Sequence, residues 1–149
     1  MILIGSEIGA MGMGIPAGVA AALRFPNRQV FSIVGDGGAL MTGSELATAV
    51  AKNAKMIVIV ANNQHYGTIR YHQEVHFPTR DHYATNLVNP DFAKYGESFG
   101  LKCFTIEKIE EILPAIQAAM DVNGPSLIEF KMSLELNAST TTITQLQMN

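Results

Sequence analysis

Two runs of largely apolar residues, at positions 29–34 (QVFSIV) and 56–61 (MIVIVA), dominate the hydrophobic pattern of the chain. Both runs are continuous, without alternation of apolar and polar positions. A continuous apolar run of this length predicts a strand that is buried on both faces, as in a parallel sheet covered by helices. Further strands are predicted at positions 101–105 and 126–132.

Helices are predicted around the first two strands. The small residues at positions 14–23 predict a helix that packs closely on its neighbours and stops at the turn FPN. Thr42 and Glu45 match a capping box, in which each side chain satisfies a free backbone N–H group. The box predicts that a helix begins there and continues to about Asn53.

The second half of the chain carries three more helical patterns. The polar and aromatic segment 62–88 contains all four histidines and only a short helical pattern at 66–73, and such an irregular segment is often functional. Asn89 as a cap, with Pro90 in the first turn, predicts a helix that ends near Gly100. Residues 107–120 place their apolar side chains on one helical face.

Alternating helices and buried strands predict a doubly wound α/β domain, with a parallel sheet and helices on both faces. We expect this domain to cover residues 1–132, followed by a Thr-rich tail at 133–149. In such folds, ligands bind outside the carboxyl ends of the strands. The polar residues that follow the two apolar runs are therefore the first candidates for a site.

Composition narrows the class of function. The net charge is −3, and the ten Lys and Arg residues form no basic cluster, which argues against binding to nucleic acid or to a membrane surface. Cys103 is the single cysteine, so the chain has no internal disulfide and no cysteine-based zinc site. We expect a buried, inert thiol and a cytoplasmic protein.

Oxygen-bearing side chains stand at both strand exits. Asp36 follows the first run and Asn63 follows the second, and their oxygens are the hard ligands that Mg²⁺ prefers. Three glycines around the aspartate would let a phosphate approach the backbone, namely Gly35, Gly37 and Gly38. Taken singly, either motif is better explained as a turn or a polar loop. Because the spacer between them fits a helix and a strand, parallel neighbours would bring both motifs to one edge of the sheet.

The paired motif GDG and NN resembles the signature of the thiamine diphosphate-dependent enzymes. The chain is most similar to the carboxy-terminal, diphosphate-binding domain of acetolactate synthase and benzoylformate decarboxylase-like enzymes. The resemblance implies that Mg²⁺ is bound by Asp36, Asn63 and the backbone carbonyl of His65. It also implies contacts to the diphosphate from Gly37, Gly38, Tyr66 and Gly67.

The stretch GAMGMGIPAG resembles the same family near its aminopyrimidine site. By resemblance, the carbonyl of Gly9 accepts a hydrogen bond from the aminopyrimidine, and Met11 is the bulky residue that bends the cofactor. The bend presses the imino nitrogen against the thiazolium C2 proton, and such proximity lowers a barrier by several kcal/mol, on the order of the measured intramolecular effects. On apolarity alone, Met11 would instead be a core methionine.

The resemblance also implies that the chain is incomplete as an enzyme. In the family, the glutamate that activates the cofactor belongs to a separate pyrimidine-binding domain, for which this chain has no room. We therefore expect a fragment of a longer enzyme or one subunit of a split enzyme, active at the interface of a dimer or higher oligomer. The implied reaction is that of a lyase or transferase acting on a 2-oxo acid.

Two positions depart from authentic acetolactate synthases, which have Met at the position of Thr68 and a substrate-selecting Trp at that of His72. The identity of the 2-oxo acid and of any acceptor therefore stays open, as do the roles of His72, His76 and the tail. The motif HQEVH does not have the metalloprotease order, because Gln73 stands where Glu is needed, so zinc is disfavoured. His65 could face substrate or could be an ordinary loop residue.

Two other functions remain open from the sequence. Gly12, Gly14 and Ala17 fit the dinucleotide fingerprint G-x-G-x-x-A, with Asp36 in the acidic position, although Asn63 would then have no role. The second alternative is a truncated domain that keeps the fold and serves as an inactive binding module. Restoration of turnover by a pyrimidine-side domain would exclude that second alternative.

Overall fold

The computed structural model describes residues 9–77, 81–138 and 141–147. The helices are α1 (Gly14–Arg24), α2 (Asp36–Thr42), α3 (Leu46–Ala51), α4 (Gly67–His76), α5 (Phe92–Ser98), α6 (Ile112–Met120) and α7 (Ile143–Gln147). The strands are β1 (Val30–Gly35), β2 (Met56–Asn62), β3 (Lys102–Ile106), β4 (Ser126–Lys131), β5 (Leu136–Ala138) and β6 (Thr141–Thr142). Within these residues, no helix combines the length and the apolar character needed to cross a bilayer.

Four strands form one parallel sheet in the order β1-β2-β4-β3, which confirms the predicted α/β class. In the register of the first pair, Gly35 lies beside Ala61. The chain therefore leaves β1 and β2 at the same edge of the sheet, and the two polar motifs emerge next to each other. A separate antiparallel hairpin, β5 and β6, follows the sheet.

Helices cover the sheet on both faces. One apolar cluster lies between α1, α3, α5 and one face of the sheet, around Leu46, Val58 and Phe92. A second, smaller cluster joins α6 to the other face, around Ile57, Ile106 and Ile128. The doubly wound arrangement that the continuous apolar runs predicted is thus confirmed.

The prediction of burial on both faces is wrong for part of β1. Phe31 and Ile33 point to the second face of the sheet, and 72% of Ile33 is exposed. Ser32 and Val34, on the first face, are buried against α1. The apolar run indicates that both faces of the strand would be stabilised by burial. Among the described residues, only one face of this strand is covered by a helix.

Close packing of α1 follows from its small residues. A Cβ atom on Gly18 would lie 2.5 Å from Cε of Met56 and 2.9 Å from Cβ of Ser32. Only glycine allows the helix to approach the strands this closely. The loop that precedes α1 is thereby held beside the exit of β1.

The predicted capping box at Thr42 and Glu45 does not form. Helix α2 begins earlier, at Asp36, directly after β1, and a 3₁₀ turn at Gly43–Glu45 separates it from α3. The Thr42 hydroxyl donates instead to the carbonyl of Gly12 at 2.6 Å. A tertiary hydrogen bond to the loop before α1 therefore replaces the expected cap.

The predicted cap of α5 is also displaced. Asp91, and not Asn89, is the capping residue, and its side chain accepts from the backbone N–H of Lys94 at 2.9 Å. That hydrogen bond lowers the pKa of Asp91. Asn89 is consequently free of the helix and bonds elsewhere.

We expect Cys103 to resist alkylation in the folded chain. Burial raises the pKa of its thiol to about 12, from an ordinary value of 9.0. At pH 8 the thiolate fraction is then about a thousandfold smaller than in the unfolded chain, and the thiolate is the reacting species. Mass spectrometry after iodoacetamide treatment, with and without urea, measures the difference. Cys103 is half-buried and not fully buried as expected from the sequence, and equal rates in the two conditions would contradict the protection of its thiol.

Candidate functional site

An open cavity of about 1090 Å³ runs along the edge strand β1 and reaches the carboxyl edge of the sheet. Its walls come from the loop before α1, one side of α1, β1 with the turn that precedes it, the exits of β1 and β2, and the start of α4. All ten residues that the sequence nominated as cofactor-binding line this one cavity: Gly9, Met11, Gly35, Asp36, Gly37, Gly38, Asn63, His65, Tyr66 and Gly67. Segments that are far apart in the chain are thus brought together as the register of β1 and β2 requires.

Asp36 is the one acidic residue among the described residues that line the cavity, and only 2% of its surface is exposed. Its Oδ2 accepts hydrogen bonds from the backbone N–H of Gln64 and from Nδ2 of Asn89, both at 2.7 Å. Its Oδ1 accepts from the backbone N–H of Gly37 at 2.9 Å. Three donors therefore fix the carboxylate, and the donors come from both strand exits and from the segment before α5.

The exit of β2 forms a tight loop. Oδ1 of Asn63 accepts from the backbone N–H of His65 at 3.2 Å. Between them, Gln64 has φ of 59°, a left-handed conformation that non-glycine residues adopt at a cost of about 1 kcal/mol or more. This turn directs the N–H of Gln64 to Asp36. Among the described residues, none donates to the carbonyl oxygen of His65.

The ring of His65 is oriented by the same loop. Its Nδ1 lies 2.7 Å from the carbonyl oxygen of Asn63, and a carbonyl can only accept, so Nδ1 carries the proton. In the neutral ring, Nε2 is then an acceptor. Donation from this ring to a substrate would require the imidazolium form.

A buried polar row lies beneath Asp36, and sequence reasoning missed it. Asn89 Nδ2 also donates to Oδ1 of Asn62 at 2.8 Å, and Asn62 Nδ2 donates to Oε1 of Glu129 at 2.8 Å. Asn62 and Glu129 are both buried, and Oδ1 of Asn89 and Oε2 of Glu129 have no partner among the described residues. The one available signal was a glutamate inside the otherwise apolar run of β4.

The ring of Tyr66 packs on the first turn of α2. A Cβ atom on Gly37 would lie 2.5 Å from Cε1 of that ring and 3.3 Å from Cε of Met11. Any side chain at Gly37 would therefore displace the tyrosine. Met11 is 48% exposed, so it is not a core methionine.

The tail folds back near the cavity. β5 and α7 contact α4, and the Glu135 carboxylate accepts from the backbone N–H and the hydroxyl of Thr144. The hydrogen bonds from Thr144, that of its hydroxyl first, lower the pKa of Glu135, and the positive charge of Arg70 adds to the shift. The tail is therefore attached to the helix that begins at the cavity wall.

The histidines of HQEVH lie on α4 with their rings stacked, 5.6 Å between centroids for His72 and His76. Both are exposed. Among the described residues, no group of three or more His, Cys, Asp and Glu side chains converges as a metal centre would need.

Comparison with known proteins identifies the family. The family described as "Thiamine pyrophosphate enzyme, C-terminal TPP binding domain" matches residues 3–130. The chain is 35% identical to the protein YdaP of Bacillus subtilis over 89% of its length, and 33% identical to an acetolactate synthase large subunit of Pyropia yezoensis over 88%. It is 36% identical to a pyruvate oxidase of Lactiplantibacillus plantarum over 80%. The nicotinamide-binding alternative is therefore wrong.

A solved structure of an enzyme that uses the same cofactor has a similar fold. The thiamine diphosphate-dependent 4-hydroxybenzoylformate decarboxylase of Rhodococcus jostii superposes with a TM-score of 0.79 and 28% identity over 85% of this chain. The chain spans 24% of that enzyme, and 23%, 22% and 20% of the three relatives above. With its fold, its strand-exit motifs and this match over most of its length, the chain belongs to the carboxy-terminal thiamine pyrophosphate-binding domains of the thiamine pyrophosphate-dependent enzymes.

Proposed function

We propose that the chain holds the diphosphate of thiamine diphosphate through Mg²⁺ in the cavity at the exits of β1 and β2, as the diphosphate-binding part of an enzyme acting on 2-oxo acids. One observation carries the proposal. The buried carboxylate of Asp36 shares a cavity wall with Asn63 and His65, so residues from two adjacent strand exits bring oxygen-bearing groups to one place.

The donor set fits Mg²⁺. The carboxylate of Asp36, the amide oxygen of Asn63 and the carbonyl of His65 are hard oxygen ligands, which this ion prefers. Oδ1 of Asp36 accepts a single hydrogen bond among the described residues, from the N–H of Gly37, and so retains a lone pair. Three protein oxygens leave the remaining octahedral positions for phosphate oxygens and water.

The wall beside the metal ligands fits a diphosphate. Gly37 and Gly38 lie in the first turn of α2, where backbone N–H groups lack the usual helical partner, although that of Gly37 donates to Asp36. The backbone allows close approach at Gly38, since a Cβ atom there would meet only the backbone nitrogen of Gly12 at 3.7 Å. Tyr66 and Gly67 line the cavity at the start of α4, with the ring of Tyr66 packed on Gly37. We assign these four residues to the phosphates, with Gly35 at the strand end behind them.

The loop before α1 provides the other end of the site. Gly9 and Met11 line the same cavity, and the exposed thioether of Met11 is available to support a bent cofactor, with Gly9 accepting from its aminopyrimidine. The bound cofactor would supply a nucleophilic carbon for attack on the ketone of a 2-oxo acid. The residues of this chain would bind and orient it.

Catalysis requires more protein than this chain. The relatives are about four times as long as this chain, and we propose that a pyrimidine-binding domain or subunit contributes the activating glutamate at an interface. The assembly would be a dimer or higher oligomer that decarboxylates a 2-oxo acid, with or without transfer to an acceptor. A cytoplasmic location is part of the proposal, supported by the single cysteine.

The proposal is tested by calorimetric titration of thiamine diphosphate into the purified chain, with Mg²⁺ and with EDTA, alone and with a pyrimidine-binding partner domain. We expect binding that depends on Mg²⁺ and falls about 10- to 100-fold or more in Asn63→Ala, which removes one ligand. Asn27→Ala, in the exposed turn before β1, is the matched control and should bind like the wild type.

The outcomes distinguish whether the site binds a metal, whether it binds the cofactor, and whether the domain belongs to an active enzyme or to a binding module. Binding that is unaffected by EDTA would exclude the metal-bridged site, and no binding even with the partner would exclude the cofactor assignment. Turnover of a 2-oxo acid that appears only when the partner domain is added would support the enzyme. Cofactor binding without turnover in that mixture would favour a binding module.

A further inference from the structure

Asn89 uses both hydrogens of its amide on the polar row beneath the cavity. Nδ2 donates to Oδ2 of Asp36 at 2.7 Å and to Oδ1 of Asn62 at 2.8 Å. The segment before α5 is thereby tied to the ends of β1 and β2. Since Asp91 caps the helix, Asn89 is available for this contact.

The direction of the amide is fixed by its neighbours. Oδ2 of Asp36 and Oδ1 of Asn62 are both acceptors, so an amide oxygen at this place would face two other oxygens. Asn62 is in turn oriented by Glu129, because its own Nδ2 donates to that carboxylate. These successive hydrogen bonds therefore determine the orientation of the side-chain amides of Asn62 and Asn89.

The hydrogen bond from Asn89 makes the two carboxylate oxygens of Asp36 unequal in the number of hydrogen bonds they accept. Oδ2 accepts from both Gln64 N and Asn89 Nδ2, which occupies its two lone pairs. Oδ1 accepts only from the N–H of Gly37 among the described residues. One oxygen is thus saturated and the other keeps a lone pair for a ligand.

We propose that Asn89 is a positioning residue that restricts Asp36 to coordination through a single oxygen and thereby favours Mg²⁺ over Ca²⁺. The inference rests on the proposed magnesium site. Mg²⁺ requires near-octahedral geometry at short distances, whereas Ca²⁺ accepts six to eight oxygens and bidentate carboxylates. A carboxylate with one blocked oxygen suits the first ion better than the second.

The test compares the affinities of Mg²⁺ and Ca²⁺, measured by calorimetry in the presence of thiamine diphosphate and, where binding requires it, the pyrimidine-binding partner. In Asn89→Ala, Oδ2 of Asp36 gains a free lone pair. We expect Mg²⁺ affinity to fall about 10- to 100-fold, as for other residues that orient metal ligands, while Ca²⁺ affinity falls less or rises. The ratio of the two affinities is the readout that a purely structural role would leave unchanged.

Two further variants complete the design. Asn89→Ser keeps a small polar group in the space and serves if the alanine variant does not fold; it should shift the ratio in the same direction. Asn86→Ala is the matched control, since Asn86 is exposed in the same segment, and it should leave the ratio unchanged.

Each result has a clear meaning. Equal losses of Mg²⁺ and Ca²⁺ affinity in folded Asn89 variants, or an unchanged ratio, would overturn this inference and leave the proposed function intact. A wild-type protein that binds neither ion would overturn both.

Discussion

Asp36→Ala is expected to abolish magnesium-dependent binding of thiamine diphosphate and to lower the free energy of unfolding by about 2–5 kcal/mol. The carboxylate is buried and accepts from Gly37, Gln64 and Asn89. Removing it leaves three donors without their acceptor, and each buried unsatisfied donor costs about 1–3 kcal/mol before partial relaxation. Calorimetric titration measures the first effect and urea unfolding the second.

Asp36→Asn separates the two effects. The amide keeps the volume and one acceptor oxygen, so we expect it to lose less stability than alanine but to bind Mg²⁺ much more weakly than the wild type, because the negative charge that attracts the ion is removed. Some stability is lost in either orientation of the new amide, because its NH₂ group then takes the place of an acceptor oxygen and faces a hydrogen-bond donor. Asp121→Asn, an exposed acid after α6, is the control for loss of charge and should change neither quantity. Magnesium-dependent binding of unchanged affinity in folded Asp36→Asn and in folded Asp36→Ala would contradict the ligand role of Asp36.

The sequence predicts the meeting of the two strand exits for a geometric reason. Continuous apolar runs indicate parallel strands, and the ends of neighbouring parallel strands share an edge. The register confirms this, with Gly35 beside Ala61. Local pattern and global topology agree at this point, so the polar residues that follow each run are found without knowledge of any side-chain contact.

The parts that the sequence did not predict depend on contacts between distant segments. Asn89 is a residue type that often caps helices, and a proline follows it, as is common in a first turn. Asp91 nevertheless caps the helix, and Asn89 donates a hydrogen bond to Asp36, which is remote in the chain. Thr42 likewise matches a capping box and bonds instead to Gly12. Both residues have short polar side chains that suit caps and tertiary hydrogen bonds equally, and only packing decides between the two.

Exposure of β1 has a similar cause. An apolar run shows that burial would be favourable on both faces of a strand, but it does not show which neighbours are present to provide it. Phe31 and Ile33 are exposed on the face that α6 covers for the other strands. The sequence pattern therefore predicts strand type more reliably than the cover of each face.

Glu74→Ala is expected to lower the free energy of unfolding by about 3–5 kcal/mol, although Glu74 is outside the candidate metal site. Nε of Arg70 and Oε1 of Glu74 are 2.7 Å apart on successive turns of α4, and their side chains are only 7% and 6% exposed. The alanine variant leaves the guanidinium of Arg70 buried without this carboxylate. Urea unfolding measures the loss.

A second ion pair in the chain is the matched control, because its nitrogen–oxygen distance is the same but its side chains are exposed to solvent. Nζ of Lys131 and Oε1 of Glu107 are also 2.7 Å apart, but their side chains are 49% and 60% exposed. Solvent screens such a pair, so Glu107→Ala should have little effect on unfolding. A loss in Glu74→Ala no larger than in Glu107→Ala would contradict the importance of burial.

The double variant Arg70→Met with Glu74→Leu distinguishes a costly unpaired charge from a favourable pair. Replacing both partners by apolar residues of similar volume removes the desolvation cost together with the attraction, so its stability should be close to that of the wild type. Tyr66 and Gly67 begin the same helix and line the cavity. If the pair serves only the stability of α4, the double variant binds thiamine diphosphate normally, whereas lost binding in a stable double variant would mean that the charges of α4 also act on the diphosphate.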